Sequence, residues 1–248
     1  GNKDGSHADH YAHEGMVKKV IGGHFNFVPK ICEMLSENKI EGYNVPQGAI
    51  AQMLRDNAAR KVGTISHVGI GTFADPRNGG GRLSEKTKED IVKIIELEGQ
   101  EQLFYPRIPL DVAFIRGTYA DELGNITLEK EMAPLDATSQ AMAVHNNGGL
   151  VVVQVERVVK AGHLDPKLVK IPGIYVDAVV ECPADDPKQS QSINCTYDPA
   201  YAGNTQVPVS SLEPKKLDAK KIIGRRAAME LKKNVVVNLG VGVPEWVS

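Results

Sequence analysis

Apolar positions along this chain switch repeatedly between short continuous runs and helical spacing. Val20-Ile21 leads into Gly22-Gly23 and predicts a strand entered from Met16. Ile31, Met34 and Leu35 recur at helical spacing between Val28 and Ser36, with Pro29 acceptable in a first turn. Ile40 to Val45 is extended, and Ile50, Met53, Leu54 and Ala58 then restore a helical period from Ala49 to Arg60. Thr64 to Val68 predicts a strand, and Asp75 to Arg82, with Gly79-Gly80-Gly81, a loop. Lys93 to Leu97 and Gln102 to Tyr105 predict a hairpin across Glu98-Gly99-Gln100-Glu101. Val112 to Ile115 and Leu150 to Val155 are apolar runs of the buried-strand kind, with a helix from Asp136 to Asn146 between them. Ile174 to Val180 predicts one more strand.

This alternation predicts an α/β fold with an open, mainly parallel sheet and flanking helices. The pattern breaks after Cys182. Residues 183–216 hold many of the prolines and no sustained period, which is linker composition. Asp218 then caps a predicted helix carrying Ile222, Ile223, Ala227, Met229 and Leu231, closed by Asn234. Val235-Val236-Val237 predicts a strand ending in a glycine turn. One helix and one strand cannot bury their own apolar faces. The expected organisation is therefore a first domain over 1–182, a linker over 183–216, and the opening of a second, similar domain over 217–248. The first strand also reads as entering a fold already under way, as though one strand-helix unit were missing before it.

Composition narrows the function more than the fold. The 248 residues carry 29 Lys and Arg against 31 Asp and Glu, a formal charge of -2, which gives no global pull toward nucleic acid or an anionic membrane. No apolar run reaches membrane-spanning length, and no basic-then-apolar leader opens the chain, so neither a membrane nor an exported setting is expected. Three cysteines without metal-ligand spacing (Cys32, Cys182 and Cys195) fit a reduced, cytoplasmic compartment.

Candidate chemistry centres on Pro46-Gln47-Gly48, which stands where a strand hands over to a helix. Pro46 biases Val45 toward extended geometry and Gly48 lets the chain turn, so Gln47 is expected at a mouth rather than in a core. A primary amide aimed from such a corner can donate to a developing oxyanion; the plainer reading is that it fixes the loop. Gly69-Ile70-Gly71-Thr72 and Gly240-Val241-Gly242 follow strands and imitate dinucleotide turns. Asp75-Pro76-Arg77-Asn78 denies the first its helix, however, and the sequence ends before a ribose-binding acid could appear after the second. His7, His10 and His13, beside Asp9 and Glu14, lack the i, i+4 pairing of a helical metal site and read as a solvated cluster. Arg77 is a charged loop residue that could meet a substrate anion. Asp121 to Asn125 reads as a tight turn bent at Gly124.

Taken in order along nearly the whole chain, a set of motifs resembles family I coenzyme A transferases of the fused acetate/propionate, short-chain acyl type. They include Val20-Ile21-Gly22-Gly23-His24, Asn44-Val45-Pro46-Gln47-Gly48, Val68-Gly69-Ile70-Gly71-Thr72-Phe73-Ala74-Asp75-Pro76-Arg77 and Asp111-Val112-Ala113-Phe114-Ile115-Arg116-Gly117-Thr118. Gln154-Val155-Glu156-Arg157 and Val237-Asn238-Leu239-Gly240-Val241-Gly242-Val243-Pro244 continue the series. The resemblance implies two similar α/β domains meeting across a cleft. It implies no permanently bound cofactor, with coenzyme A, acyl-CoA and a short-chain carboxylate such as acetate as substrates. It also implies a homo-oligomer.

By the same resemblance Gln47 is the oxyanion donor, and Gly22, Gly23, His24, Gly48, Gly69, Gly71, Thr72, Gly240 and Gly242 line the cleft. The family's exchange is ping-pong. A glutamate attacks the thioester to give a mixed anhydride and CoA thiolate, the thiolate attacks to give a glutamyl-CoA thioester, and the incoming carboxylate reverses the sequence. The sequence departs from the family pattern in lacking an early glycine-rich turn and in stopping before that glutamate. The missing second-domain half is therefore an expected partner, and this chain alone is expected to be inactive. Glu37, in Ser36-Glu37-Asn38-Lys39, imitates the nucleophile's setting but is expected to be a solvated helix-end residue. Two other readings are a sugar-phosphate isomerase or deaminase on a related α/β fold, and a non-catalytic partner subunit.

Overall fold

The computed structural model describes residues 7–183, 185–192, 195–240 and 242–247. The chain forms two compact units, Gly1–Asn204 and Thr205–Ser248.

In the first unit, β1 (Lys19–Gly22) leads through α1 (Pro29–Ser36) to β2 (Glu41–Asn44), then α2 (Gln47–Ala58) and β3 (Gly63–Ser66). A hairpin follows, β4 (Lys93–Leu97) and β5 (Gln100–Pro106), and then β6 (Val112–Arg116), β7 (Tyr119–Asp121), β8 (Ile126–Thr127) and α3 (Ala137–Asn146). The unit closes with β9 (Leu150–Val155), β10 (Arg157–Val159), β11 (Val169–Ile171) and β12 (Ala178–Glu181).

The α/β class stands, with its pairing divided among small sheets. β1–β2 and β12–β9–β6 are parallel; α1 crosses from β1 to β2 and α3 lies between β6 and β9, whereas β9 reaches β12 through β10, β11 and a 3-10 turn. β3–β5–β4 is antiparallel, and β10–β7–β8–β11 is mixed. Three apolar clusters hold these layers. One gathers Ile115, Val151, Val153, Val155 and Ile171 under α3. A second joins Tyr43, Val45, Ala49, Leu103 and Tyr105, and a third joins Ile31, Met34, Leu35 and Ile40. The Asn57 amide donates to the Ile108 carbonyl at 2.6 Å and accepts from Asn147 at 2.8 Å, tying α2 to α3.

Several expectations need correction. The hairpin turn is two residues, Glu98 (φ 50°) and Gly99 (φ 72°), and this positive-φ pair lets β5 begin at Gln100 rather than Gln102. The strand expected over Ile174–Val180 shrinks to β12. After Pro172, Tyr175 and Val176 donate back to the Pro172 and Gly173 carbonyls at 3.0 Å each, making a 3-10 turn. β7, β8, β10 and β11 are only two or three residues long, too short to show a period. Asp121 does form a turn, with Gly124 at φ 80° and its carboxylate accepting from the Leu123 and Asn125 amides.

The first unit also reaches past Cys182. The Gln189 amide donates to the Gly117 carbonyl at 3.1 Å, and the Gln191 amide to the Lys130 carbonyl at 2.7 Å, so residues in this stretch belong to that unit's fold. A proline-rich composition conceals this, because side-chain amides rather than an apolar period make the attachment. Lys130 lies between the rings of Tyr119 and Tyr197, 5.3 and 5.1 Å from their centroids, and donates to both Glu156 carboxylate oxygens at 2.8 Å.

In the second unit Asp218 caps α4 (Ala219–Ala228), accepting from the Lys221 amide at 2.8 Å. Gly224 is buried against Trp246. The strand expected at Val235–Val237 is not formed. These residues carry no regular structure and join no ladder, and a strand without a neighbour has no partner for its backbone groups.

Candidate active site

The Gln47 corner is built by two parallel strands ending together. Gly22 pairs with Asn44, and the Val45 amide then donates to the Gly22 carbonyl at 3.0 Å. Pro46, at φ -50° and ψ 128°, turns the chain, and α2 starts at Gln47. The Ala49 and Ile50 amides bond the Pro46 carbonyl at 2.9 and 3.1 Å, while no side chain caps the helix start. Ala49 is buried beside Val45 and Tyr43, which fixes the first turn, and Gln47 and Gly48 remain exposed. Among the described residues nothing hydrogen-bonds the Gln47 amide. A free donor on an uncapped helix start is an arrangement that favours negative charge nearby.

Gly23 lies against Gln47 so closely that an added Cβ would meet it. His24 is exposed, its ring edge-on to Phe27 at 5.4 Å, so it is not a buried, satisfied histidine. The Asn44 side-chain oxygen is buried at this same end and has no partner among the described residues. Sequence reasoning did not single out Asn44. Its signal was its place three residues before Gln47, at the last strand position.

Ile70 packs on the cluster that holds Val45 and Ala49, bringing the Gly69–Thr72 turn to the same part of the unit. That turn is tied internally. Asp75 is buried and accepts from the Gly71 amide at 2.9 Å, the Arg77 amide at 3.0 Å and the Arg77 guanidinium at 3.0 and 2.7 Å. Arg77 Nη1 donates to Glu101 at 3.0 Å, and Nη2 is shared between Asp75 and Glu101, reaching Glu101 at 2.7 Å. Arg77 beside it, with the Gly71 N–H, holds the Asp75 carboxyl well below the usual range; Asp75 and Glu101 raise Arg77 in turn. Arg77 is thus an internal brace and not a free anion receptor. The Tyr105 hydroxyl donates to the Val68 carbonyl at 2.6 Å, and burial pushes its pKa up.

Glu37 lies exposed at the α1 C-terminus, paired with Lys39 at 2.7 Å. The N-terminal group divides. His10, His13 and Glu14 are exposed, the His7 side chain lies outside the described residues, and Asp9 is buried. Asp9 accepts from the Lys30 and Ile31 amides at 3.2 and 3.1 Å, capping α1 from a distance in sequence. Among the described residues no cluster suits a metal ion, and no helix is long and apolar enough to cross a membrane. Gly240 and Gly242 belong to the second unit, where the Gly242 amide donates to Glu245 at 3.0 Å.

The chain belongs to the coenzyme A transferase family, whose model matches residues 2–182. It is 44% identical over 237 residues to the acetate CoA-transferase YdiF of Escherichia coli K12, covering 95% of this chain and 44% of that protein. It is 43% identical over 235 residues to the caffeate CoA-transferase of Acetobacterium woodii, covering 95% and 45%. The crystal structure of E. coli O157:H7 YdiF as a thioester complex with CoA superposes with a TM-score of 0.86 at 44% identity, covering 96% of this chain and 47% of that one. The chain therefore spans less than half the length of these relatives.

Proposed function

We propose that this chain forms the first half of an acyl-CoA:carboxylate CoA-transferase in which Gln47 donates to the oxyanion. The observation that carries the reading is the exposed Gln47 amide, without a hydrogen-bond partner among the described residues at an uncapped helix start. Family membership supplies the chemistry. A glutamate from the second half attacks the thioester carbonyl, CoA thiolate leaves, and a mixed anhydride remains. The thiolate then attacks the glutamyl carbonyl, expelling the carboxylate and giving glutamyl-CoA. A second carboxylate enters by the reverse steps. Each step passes through a tetrahedral oxyanion, where a fixed donor lowers the barrier without reorganising.

Gly22, Gly23, His24, Gly48, Gly69, Gly71 and Thr72 line the cleft on this reading. Coenzyme A and acyl-CoA are substrates, and acetate is the favoured carboxylate because one close relative is named for it. Ile222, Ile223, Met229 and Val236 are exposed in the second unit, as expected where further protein completes a domain. The free thiols Cys32, Cys182 and Cys195 suit a reducing cytoplasmic setting, and the complete enzyme is read as a homo-oligomer.

The test is Gln47→Ala in the complete two-half enzyme. Turnover should fall about 100- to 1,000-fold, roughly 2.7–4 kcal/mol of barrier, with the melting temperature unchanged. Unchanged turnover, or a loss accounted for by unfolding, returns Gln47 to a loop-fixing role.

A further inference from the structure

We propose that Gly23 is a positioning residue whose missing side chain is the space that aims the Gln47 amide. The inference rests on the oxyanion reading of Gln47. Gly23 follows the last β1 residue, where the strand passes the start of α2. A Cβ built on Gly23 would lie 2.8 Å from the Gln47 Cβ and 3.1 Å from its Cα, and would overlap its Oε1. No methyl group fits there unless Gln47 moves.

The neighbouring glycines differ. A Cβ on Gly22 would meet the Phe25 ring at 3.1 Å and the His24 carbonyl at 3.7 Å, and one on Gly48 would meet nothing within 4 Å. Gly71 is open in the same sense, and its φ of 73° is what demands glycine. Gly23 has no positive φ, so close approach alone accounts for it.

Two of the three contacted Gln47 atoms are side-chain atoms, and this decides what would yield. The α2 backbone is held by Ala49, Ile50 and Met53 in the cluster with Val45 and Leu103. Moving it would disturb that packing, whereas the Gln47 side chain ends in open space. A methyl at position 23 therefore turns the amide away first. The amide end turned away from Gly23 is the end open to a substrate. Sub-ångström to ångström displacement of such a donor costs turnover more than binding, because the bond matters most once charge has developed.

The experiment is a double-mutant cycle in the complete enzyme, with kcat, KM and melting temperature read for each variant. Gly23→Ala should lower kcat about 10- to 100-fold with KM within about twofold, a smaller loss than removing the donor outright. Gly23→Ala combined with Gln47→Ala should be no slower than Gln47→Ala alone. Wild-type kcat for Gly23→Ala beside a 100-fold loss for Gln47→Ala overturns the positioning role and leaves the oxyanion reading intact. An unchanged Gln47→Ala enzyme overturns the oxyanion reading itself. Fully multiplicative losses also overturn the proposal, because Gly23 would then act on substrate without Gln47. If Gly23→Ala melts early, Gln47→Gly in the same chain removes the Cβ contact and should restore the melting temperature of Gln47→Gly alone. Failure to restore it counts against the proposed contact.

Discussion

Two turns near one apolar cluster make opposite use of their polar groups. Around Gly69–Thr72, Asp75, Arg77, Glu101 and the Tyr105 hydroxyl bond one another or the backbone. At Pro46–Gly48 the backbone is fixed by apolar burial and strand register, and the side-chain amide is left over. The difference separates construction from chemistry. A charged residue near a cleft is spent if its fork is full, whereas an uncharged amide with no partner remains available. Family motifs alone place Gln47 and Arg77 side by side; hydrogen bonding tells them apart.

Mutations can break that contrast in order of expected size. Gln47→Ala should show the largest effect on turnover and almost none on stability. Gly69→Ala should instead cost stability. Gly69 holds φ 106°, and a Cβ there would meet the Tyr105 hydroxyl at 2.6 Å and Leu103 Cδ1 at 2.9 Å. Thermal or urea denaturation should show a loss of roughly 1–3 kcal/mol from the strain and clash together. A melting temperature matching wild type would mean that the turn is not tied as described.

Acid should act on the same braced turn. The Asp75 carboxyl titrates below its unfolded value, so its stabilising contribution is present above about pH 4 and is lost as pH falls toward the folded value. Replacing Asp75 by Asn should lower stability at neutral pH and flatten this acid limb, read as melting temperature against pH. An unchanged limb would place the acid sensitivity elsewhere, with Asp56 the next candidate. Burial opposes ionisation there, but bonds from Lys61, Thr64 and Gln52 hold its carboxyl low on balance. The smallest effect belongs to Glu37→Gln. This exposed helix-end carboxylate should change stability by no more than about 0.5 kcal/mol and leave turnover intact. A large loss of turnover would reinstate Glu37 as a nucleophile candidate.

Much of this was legible in the residues. The periodic segment Ala49–Arg60 and the continuous apolar run Leu150–Val155 became α2 and β9 because each pattern exceeds one turn or one pleat. β8 could not be foreseen, since two residues define no period and only its partners β7 and β11 make it a strand. Nor could Val235–Val237 be judged from its apolar run, because a ladder requires a neighbour. At the site, sequence placed Gln47 correctly at a strand-to-helix corner. It could not show that Arg77 is engaged by Asp75 and Glu101, or that Gly23 leaves room for Gln47, because both depend on contacts across the fold.

The clamp on Lys130 carries a consequence for the order of assembly. Its bonds join positions far apart along the chain: Gln191 reaches back to Lys130 and Gln189 to Gly117. Loops of that length close only after the strands they cross have formed, so this strap is expected to fasten last during folding. By the same logic it is the first part to lift when the unit breathes. Early amide exchange at residues 189–192 and 195–197, ahead of β6 and β9, would be its kinetic signature.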